Sequence, residues 1–314
     1  MDIVASNWGL NSRYRTTRDH PWKLYYGDLE GKGTVDVIES YFDEGREVPA
    51  RGLRAVVAGL PFVRENFPTY EAYGKASLAE LYGDKLKPMR AVEVTTLESM
   101  VFFNRGDHFE ARPLPVVAQL APALAVCVGD YDGDGNEDVF LSQNFFAMNS
   151  ETGRNDAGRG LWLKGDGRGG LTAVPGQESG VKVYGEQRGA ALCDYDGDGR
   201  VDLVVTQNGA ETKLYHNVRA RPGLRVRLKG PPGNPEAIGA QVRLRFGQAE
   251  GPAREIHAGS GYWSQDSAVQ VLGIPKPPSA IQIRWPGGRT TSTAVPSQAK
   301  EITVDLGGSI VDVK

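Results

Sequence analysis

The stretch DYDGDGNED at residues 130–138, running on into VFLSQ (139–143), decides how this chain is to be read. Carboxylates stand at positions 1, 3, 5 and 9 of the nonapeptide, as Asp130, Asp132, Asp134 and Asp138, with glycine at positions 4 and 6. A second copy, DYDGDGRVD, spans 194–202 with Asp194, Asp196, Asp198 and Asp202, and runs on into LVVTQN. Carboxylates crowded on so short a curl repel one another strongly unless a cation sits among them. Calcium takes six to eight oxygens at about 2.3–2.6 Å, and alternate aspartates on a tightly curled loop supply them. The backbone carbonyl at position 7, Asn136 or Arg200, is expected to add another oxygen, since a main-chain ligand does not depend on the side chain. Magnesium prefers to keep its waters and suits such a cage less well. An EF-hand is excluded, because it needs a bidentate glutamate at position 12 and flanking helices. Position 12 here is Leu141 or Val205, each inside an apolar, strand-like run.

Outward from these loops, an internal repeat emerges. Four segments align without gaps: DIVASNWG from Asp2, DVIESYFD from Asp36, DVFLSQNF from Asp138 and DLVVTQNG from Asp202. Each starts with aspartate, continues with β-formers and reaches Ser or Thr at its fifth position. The loop before Asp36, DLEGKGTVD (28–36), keeps Asp28, Glu30 and Asp36 but carries Lys32 at position 5. An ammonium there opposes a cation, so this degenerate loop is expected to have lost calcium. Asp2 stands at position 9 of a loop whose earlier positions are missing, which suggests the C-terminal part of a longer protein, with any signal peptide upstream.

Runs such as LWLKGDGRGGLTAVP (161–175) and MVFFNRGDHFEARPLP (100–115) read as strand, glycine turn, strand. Glycine makes up 40 of 314 residues, well above the usual 7% or so, which fits many tight turns. Helical periodicity interrupts the pattern at about 46–90. Leu53, Val56, Val57 and Leu60 recur at helical spacing, and Ser77 with Glu80 forms a capping-box signature. After residue 218 the aspartate loops stop. Alternating strands follow at LRVRLKG (224–230), AQVRLRFG (240–247), AIQIRWPGG (280–288) and EITVDL (301–306), each with one buried and one solvated face. The expected fold is mainly β. It has an irregular, repeat-built propeller at 1–218 with a helical insertion, then a sandwich-like β-domain at 219–314.

These loops and the strands after them resemble FG-GAP/VCBS repeats, the blades of integrin-type β-propellers. The C-terminal stretch resembles the ASPIC/UnbV domain of cartilage-acidic-protein-like chains, through LRVRLKG, AIGAQVRL (237–244), GSGYWSQ (259–265) and WPGG (285–288). That resemblance implies calcium-stabilised blades, an extracytoplasmic or cell-surface setting, and binding or adhesion; it supplies no reaction.

The bulk numbers exclude some classes. Net charge is −3, so there is no basic surplus for nucleic acid, and no apolar run is long enough to span a membrane as a helix. Cys127 and Cys193 lie in apolar runs and read as small core residues. Histidines 20, 108, 216 and 257 have no zinc spacing. Arg105-Gly106-Asp107 reads as turn chemistry, as does GDGRGG (165–170). Glu186 and Arg188, opening an inner-strand run, are the candidate ligand site of an alternative reading: a lyase-like or polysaccharide-acting enzyme working at the channel mouth. Tyr262, Trp263 and Trp285 read first as core and second as a carbohydrate platform. No catalytic motif is present, which leaves a non-catalytic calcium protein with a protein or carbohydrate ligand as the leading expectation.

Overall fold

A computed structural model describes residues 1–148 and 152–314. The fold is mainly β, in several sheets that do not close into a barrel. The chain divides into two compact units, one of residues 12–97 and one of residues 1–11 with 98–314.

In the larger unit, strand Ile3–Ala5 pairs with Met100–Asn104, which pairs with Phe109–Pro113. A second sheet runs Leu171–Val174, Leu161–Gly165, Asp138–Gln143, Ala123–Gly129, and a third runs Glu186–Cys193, Asp202–Asn208, Ala210–Tyr215. Residues 12–97 are therefore inserted between two neighbouring strands of one sheet. This explains the short 34-residue spacing from Asp2 to Asp36: Asp36 belongs to the other unit. Without the insertion, Asp2 and Asp138 are about 50 residues apart, an ordinary length for a four-stranded repeat.

The Ser/Thr at the fifth repeat position has a structural cause. The register slips between Ala123 and Val126 on the edge strand of one sheet and between Gln187 and Ala190 on the edge strand of the next. Such bulges leave main-chain groups without ladder partners. The Ala125 N–H donates to Ser142 Oγ at 2.7 Å, and the Gly189 N–H donates to Thr206 Oγ1 at 2.9 Å. The repeated hydroxyl thus repairs the repeated bulge.

The expected hairpins form. Arg105-Gly106-Asp107 is the turn between Met100–Asn104 and Phe109–Pro113, closed by the Arg105 N–H on the His108 carbonyl at 2.9 Å. GDGRGG turns between Leu161–Gly165 and Leu171–Val174, with Gly167 and Gly169 at positive φ.

The C-terminal strands build two sheets over one core. One has the order Gln270–Leu272, Leu224–Lys229, Glu301–Asp305, Ile310–Val313. The other has the order Ala249–Glu250, Gln241–Phe246, Ala280–Arg284, Thr290–Ala294. Alternation aims Leu224, Val226, Leu228, Val242, Leu244, Ile281, Ile283, Ile302 and Val304 inward, around a buried Trp285. Trp285 Nε1 donates to Thr291 Oγ1 at 2.9 Å, so the ring buries no unpaired polar atom.

The unit of residues 12–97 has the sheet order Arg46–Pro49, Asp36–Asp43, Trp22–Gly27, Arg90–Val94. Helices Leu53–Gly59, Phe62–Asn66, Tyr70–Lys75 and Leu78–Tyr82 pack Leu53, Leu60, Val63, Tyr73, Leu78 and Leu81 with Ile38 of the sheet. Both halves of the Ser77–Glu80 capping box are formed, so the last helix begins where its sequence signature places it.

Candidate metal centre

Each of the two aspartate loops is the turn of a hairpin between an edge strand and its neighbour. In 130–138, Asp130 Oδ1 accepts the N–H groups of Gly133 and Asp134 at 2.7 and 3.1 Å, and Oδ2 accepts that of Gly135 at 2.8 Å. In 194–202, Asp194 accepts Gly197, Asp198 and Gly199 in the same pattern at 2.9, 3.1 and 2.8 Å. The glycines at positions 4 and 6 sit at φ 73° and 91° in the first loop, 79° and 83° in the second. That left-handed backbone is why these positions are glycine.

Position 9 is tied twice. Asp138 Oδ2 accepts the Tyr131 N–H at 3.0 Å and Oδ1 accepts the Gly165 N–H at 2.8 Å. Asp202 accepts Tyr195 and Asn217 N–H groups at 3.1 and 2.8 Å. Asp2 makes the second of these two bonds, accepting the Asn104 N–H at 2.8 Å.

The curl brings Asp130, Asp132 and Asp138 together, with one oxygen of each within 4.8 Å of the others; Asp194, Asp196 and Asp202 converge likewise. Positions 5, Asp134 and Asp198, lie beside these triads. Each accepts the N–H of position 7 at 2.9 Å. Three buried carboxylates of the loops, Asp130, Asp138 and Asp202, are held above their ordinary values. Asp138 is fully buried; burial, reinforced by the Asp132 and Asp130 charges, pushes it up to about 7 against the Gly165 and Tyr131 hydrogen bonds. Burial also raises Asp130 and Asp202. A hard divalent cation bound by oxygen is the group that such a donor set fits.

Basic side chains border each of the two loops. Lys164 reaches Asp132 and lies 3.1 Å from Asp134. In the second loop Arg200 pairs with Asp198, Arg225 pairs with Asp194, and His216 Nε2 is 3.0 Å from Asp196. The sequence did not single out Lys164 or His216. They occupy equivalent places, each just before the residue whose N–H binds the position-9 aspartate. Only the aligned strand ends could have pointed to them.

The degenerate loop keeps the backbone and changes the charge. Asp28 accepts the Lys32 and Gly33 N–H groups at 2.8 and 2.7 Å, and Asp36 accepts the Leu29 N–H at 3.0 Å. Hydrogen bonds from Gly33 and Lys32 hold Asp28 below the ordinary carboxylate range. Lys32 Nζ pairs with Glu30 at 2.6 Å. Among the described residues, Asp28, Glu30 and Asp36 do not form a converging triad.

The C-terminal sandwich packs directly on both good loops. Arg254 makes a two-pronged pair with Glu137, at 2.8 and 3.0 Å. The Arg221 N–H binds the Asp132 carbonyl at 3.1 Å, and the Gly223 N–H binds the Gly199 carbonyl at 2.7 Å. The Asn217 side chain donates to the Tyr131 and Val201 carbonyls at 2.8 and 3.0 Å, joining one loop to the other.

Glu186 and Arg188 meet, but not as an open site. Burial raises Glu186, yet the Phe146 N–H at 2.6 Å, the Asn208 amide at 2.6 Å and Arg188 at 2.8 Å together hold it below its ordinary value. Both oxygens are thereby occupied. The aromatic trio divides: Trp285 is core, whereas Trp263 is 91% exposed at φ 53°, on a hairpin closed by the Ser260 N–H on the Ser264 carbonyl at 3.0 Å. Both cysteines are free, Cys127 buried and Cys193 half-buried.

Residues 230–309 match the family described as ASPIC and UnbV. The chain is 24% identical to cartilage acidic protein 1 of Mus musculus over 203 residues, covering 61% of this chain and 30% of that protein. It is 25% identical to the Homo sapiens protein over 194 residues, covering 58% and 28%. It is 28% identical to the Xenopus tropicalis protein over 116 residues, covering 35% and 18%. The chain thus spans less than a third of the length of these curated relatives. No helix among the described residues is long and apolar enough to cross a membrane. The chain therefore carries an ASPIC and UnbV domain at residues 230–309 and is a distant relative of cartilage acidic protein 1.

Proposed function

We propose that this chain is a calcium-binding, non-catalytic binding or adhesion protein that works outside the cytoplasm, in which calcium fastens propeller blades of the FG-GAP/VCBS type. The observation that carries this reading is the convergence of positions 1, 3 and 9 in each of two loops, with Asp138 pushed up to about 7 by burial and by the neighbouring Asp132 and Asp130 charges. Calcium here is structural. It joins strand ends whose loops also seat the C-terminal sandwich, and the loops have none of the helix pairs that a calcium switch moves. Affinities of about 10⁻⁴–10⁻³ M, those of extracellular calcium modules, suit loops that already hold protein cations. The ligand is a protein or carbohydrate, and the exposed Trp263 is the surface feature that favours an aromatic contact. The enzymatic alternative is the weaker reading, because Glu186 already spends both oxygens on structural partners. Equilibrium dialysis with millimolar calcium tests the proposal. Two ions per chain are expected, falling to one in Asp132→Asn and in Asp196→Asn. A chain that binds none would end it.

A further inference from the structure

A cavity of about 610 Å³ opens between the sheet holding Leu161–Gly165 and the sheet holding Ala210–Tyr215. That size falls within the roughly 300–1,000 Å³ of small-molecule sites. Its apolar lining includes Trp162, Val174, Tyr215 and Val218, the last 68% exposed. Five titratable side chains besides the tyrosines also line it: Lys164 and Arg219, Asp132 and Glu178, and His216. Asp132 is position 3 of the first loop. Without metal, Asp132 and Asp134 engage Lys164. Arg219 makes no ion pair among the described residues.

We infer that this cavity is a binding site for a small organic anion with a flat apolar body, such as an aromatic carboxylate, and that calcium in the 130–138 loop turns it on. The inference rests on the calcium reading above. An ion held among Asp130, Asp132 and Asp138 would take Asp132 as a ligand and would add up to two positive charges at the cavity wall. Lys164 would then lose its Asp132 partner and could serve a carboxylate, with Arg219 as a second cation, against Glu178 and the negative charge that the loop retains. The aromatic walls hold the ring. The coupling is reciprocal, so the anion also tightens calcium.

The probe is 2-naphthoate, titrated calorimetrically into the full chain in saturating calcium and in chelator, with calcium binding measured separately. The expected result is binding at least about tenfold tighter in calcium, from the added charge. Lys164→Met is expected to lose about tenfold in naphthoate affinity, one charged partner's share. Its calcium affinity is expected to hold or rise, because a competing cation has gone. Those opposite signs separate a ligand role for Lys164 from simple damage to the fold. A bulky Val174→Trp should block naphthoate and leave calcium binding unchanged. Naphthoate binding that is equal in calcium and chelator, or unchanged in Lys164→Met, overturns the inference while the calcium reading stands. Absence of calcium binding overturns both, and the separate calcium measurement shows which has failed.

Discussion

On the calcium reading, Asp138 gives the proposed metal dependence of this fold a pH dependence of known sign. Its carboxyl moves from an ordinary 3.8 to about 7 when the metal-free chain folds. At about 1.36 kcal/mol per pH unit, the charged form costs the metal-free fold at most about 4 kcal/mol. A raised folded value means that the unfolded chain gives up its proton first. The penalty is absent below about 4, grows between 4 and 7, and is complete above 7. Calcium replaces the proton. At about 100 times its dissociation constant, an ion contributes about 2.7 kcal/mol per site. At pH 5.5 it must first displace the Asp138 proton, which lowers its apparent affinity in that loop roughly 30-fold and removes about 2 kcal/mol. At about 2–4 °C per kcal/mol for a unit of this size, the gap in melting temperature between calcium and chelator should be about 4–8 °C wider at pH 8 than at pH 5.5. Differential scanning calorimetry in matched buffers reads it directly. Asp138→Asn cannot titrate, so its gap should lose most of that pH slope whatever its overall stability. A wild-type gap of constant width across this range would refute the reasoning.

Three further outcomes follow from the same geometry. Gly133→Ala is expected to destabilise by about 2–5 kcal/mol in urea unfolding, because its φ of 73° is left-handed and a Cβ would lie 2.2 Å from the Arg221 carbonyl oxygen; strained backbone and overpacking each cost about 1–3 kcal/mol. Lys32→Asp is expected to leave the dialysis stoichiometry at two, since Asp28, Glu30 and Asp36 do not converge even though the Lys32, Gly33 and Leu29 hydrogen bonds are kept; a third ion would show that Lys32 alone blocks the site. Arg254→Met leaves Glu137 and Asp130 without their cation and should cost about 3 kcal/mol, the low end for a broken buried pair because Glu137 keeps some water contact; an unchanged denaturation midpoint would mean that the sandwich does not depend on this clamp.

What could be read in advance was local. Glycine at positions 4 and 6 implied left-handed turns, alternation in LRVRLK implied an inner and an outer face, and Ser77-Leu-Ala-Glu80 implied a helix start. Each is a property of neighbouring residues. What could not be read was non-local. Nothing in Ile3–Ala5 names Met100–Asn104 as its partner, so the inserted unit appeared only as a helical insertion at about 46–90 and an irregular spacing, while its strands Trp22–Gly27 and Asp36–Asp43 were read with the repeats. The Arg254–Glu137 pair joins residues 117 apart in the chain. Trp263 and Trp285 share a residue type, and their opposite fates follow from the backbone around them. Trp285 closes a strand whose inner face is core, whereas Trp263 tops a hairpin built on Gly261.

The loops also differ from each other in a way that orders their affinities. The first gathers Asp130, Asp132, Asp134, Asp138 and Glu137 against Lys164 and Arg254. The second gathers Asp194, Asp196, Asp198 and Asp202 against Arg200 and Arg225, with His216 alongside. Arg254 is taken by Glu137 and Arg225 is shared with Glu301, so the aspartates themselves face one cation in the first loop, Lys164, and two in the second, Arg200 and the shared Arg225; the first also holds the carboxyl that is pushed furthest up. In the second, burial raises Asp198 but Arg200 outweighs it, and the group sits below the ordinary range. An ion entering the first loop relieves more repulsion and displaces fewer cations. One unit of charge near the site is worth about tenfold in affinity at the effective dielectric of a protein surface. Calcium titrations of the single-loop variants decide the order. Asp196→Asn, which spares the first loop, should keep the tighter isotherm, and Asp132→Asn the weaker. Arg225→Gln should then tighten the second loop, since Asp194 loses its nearest cation. If Asp132→Asn keeps the tighter site, the protein cations do not set calcium affinity here, and the charge argument fails.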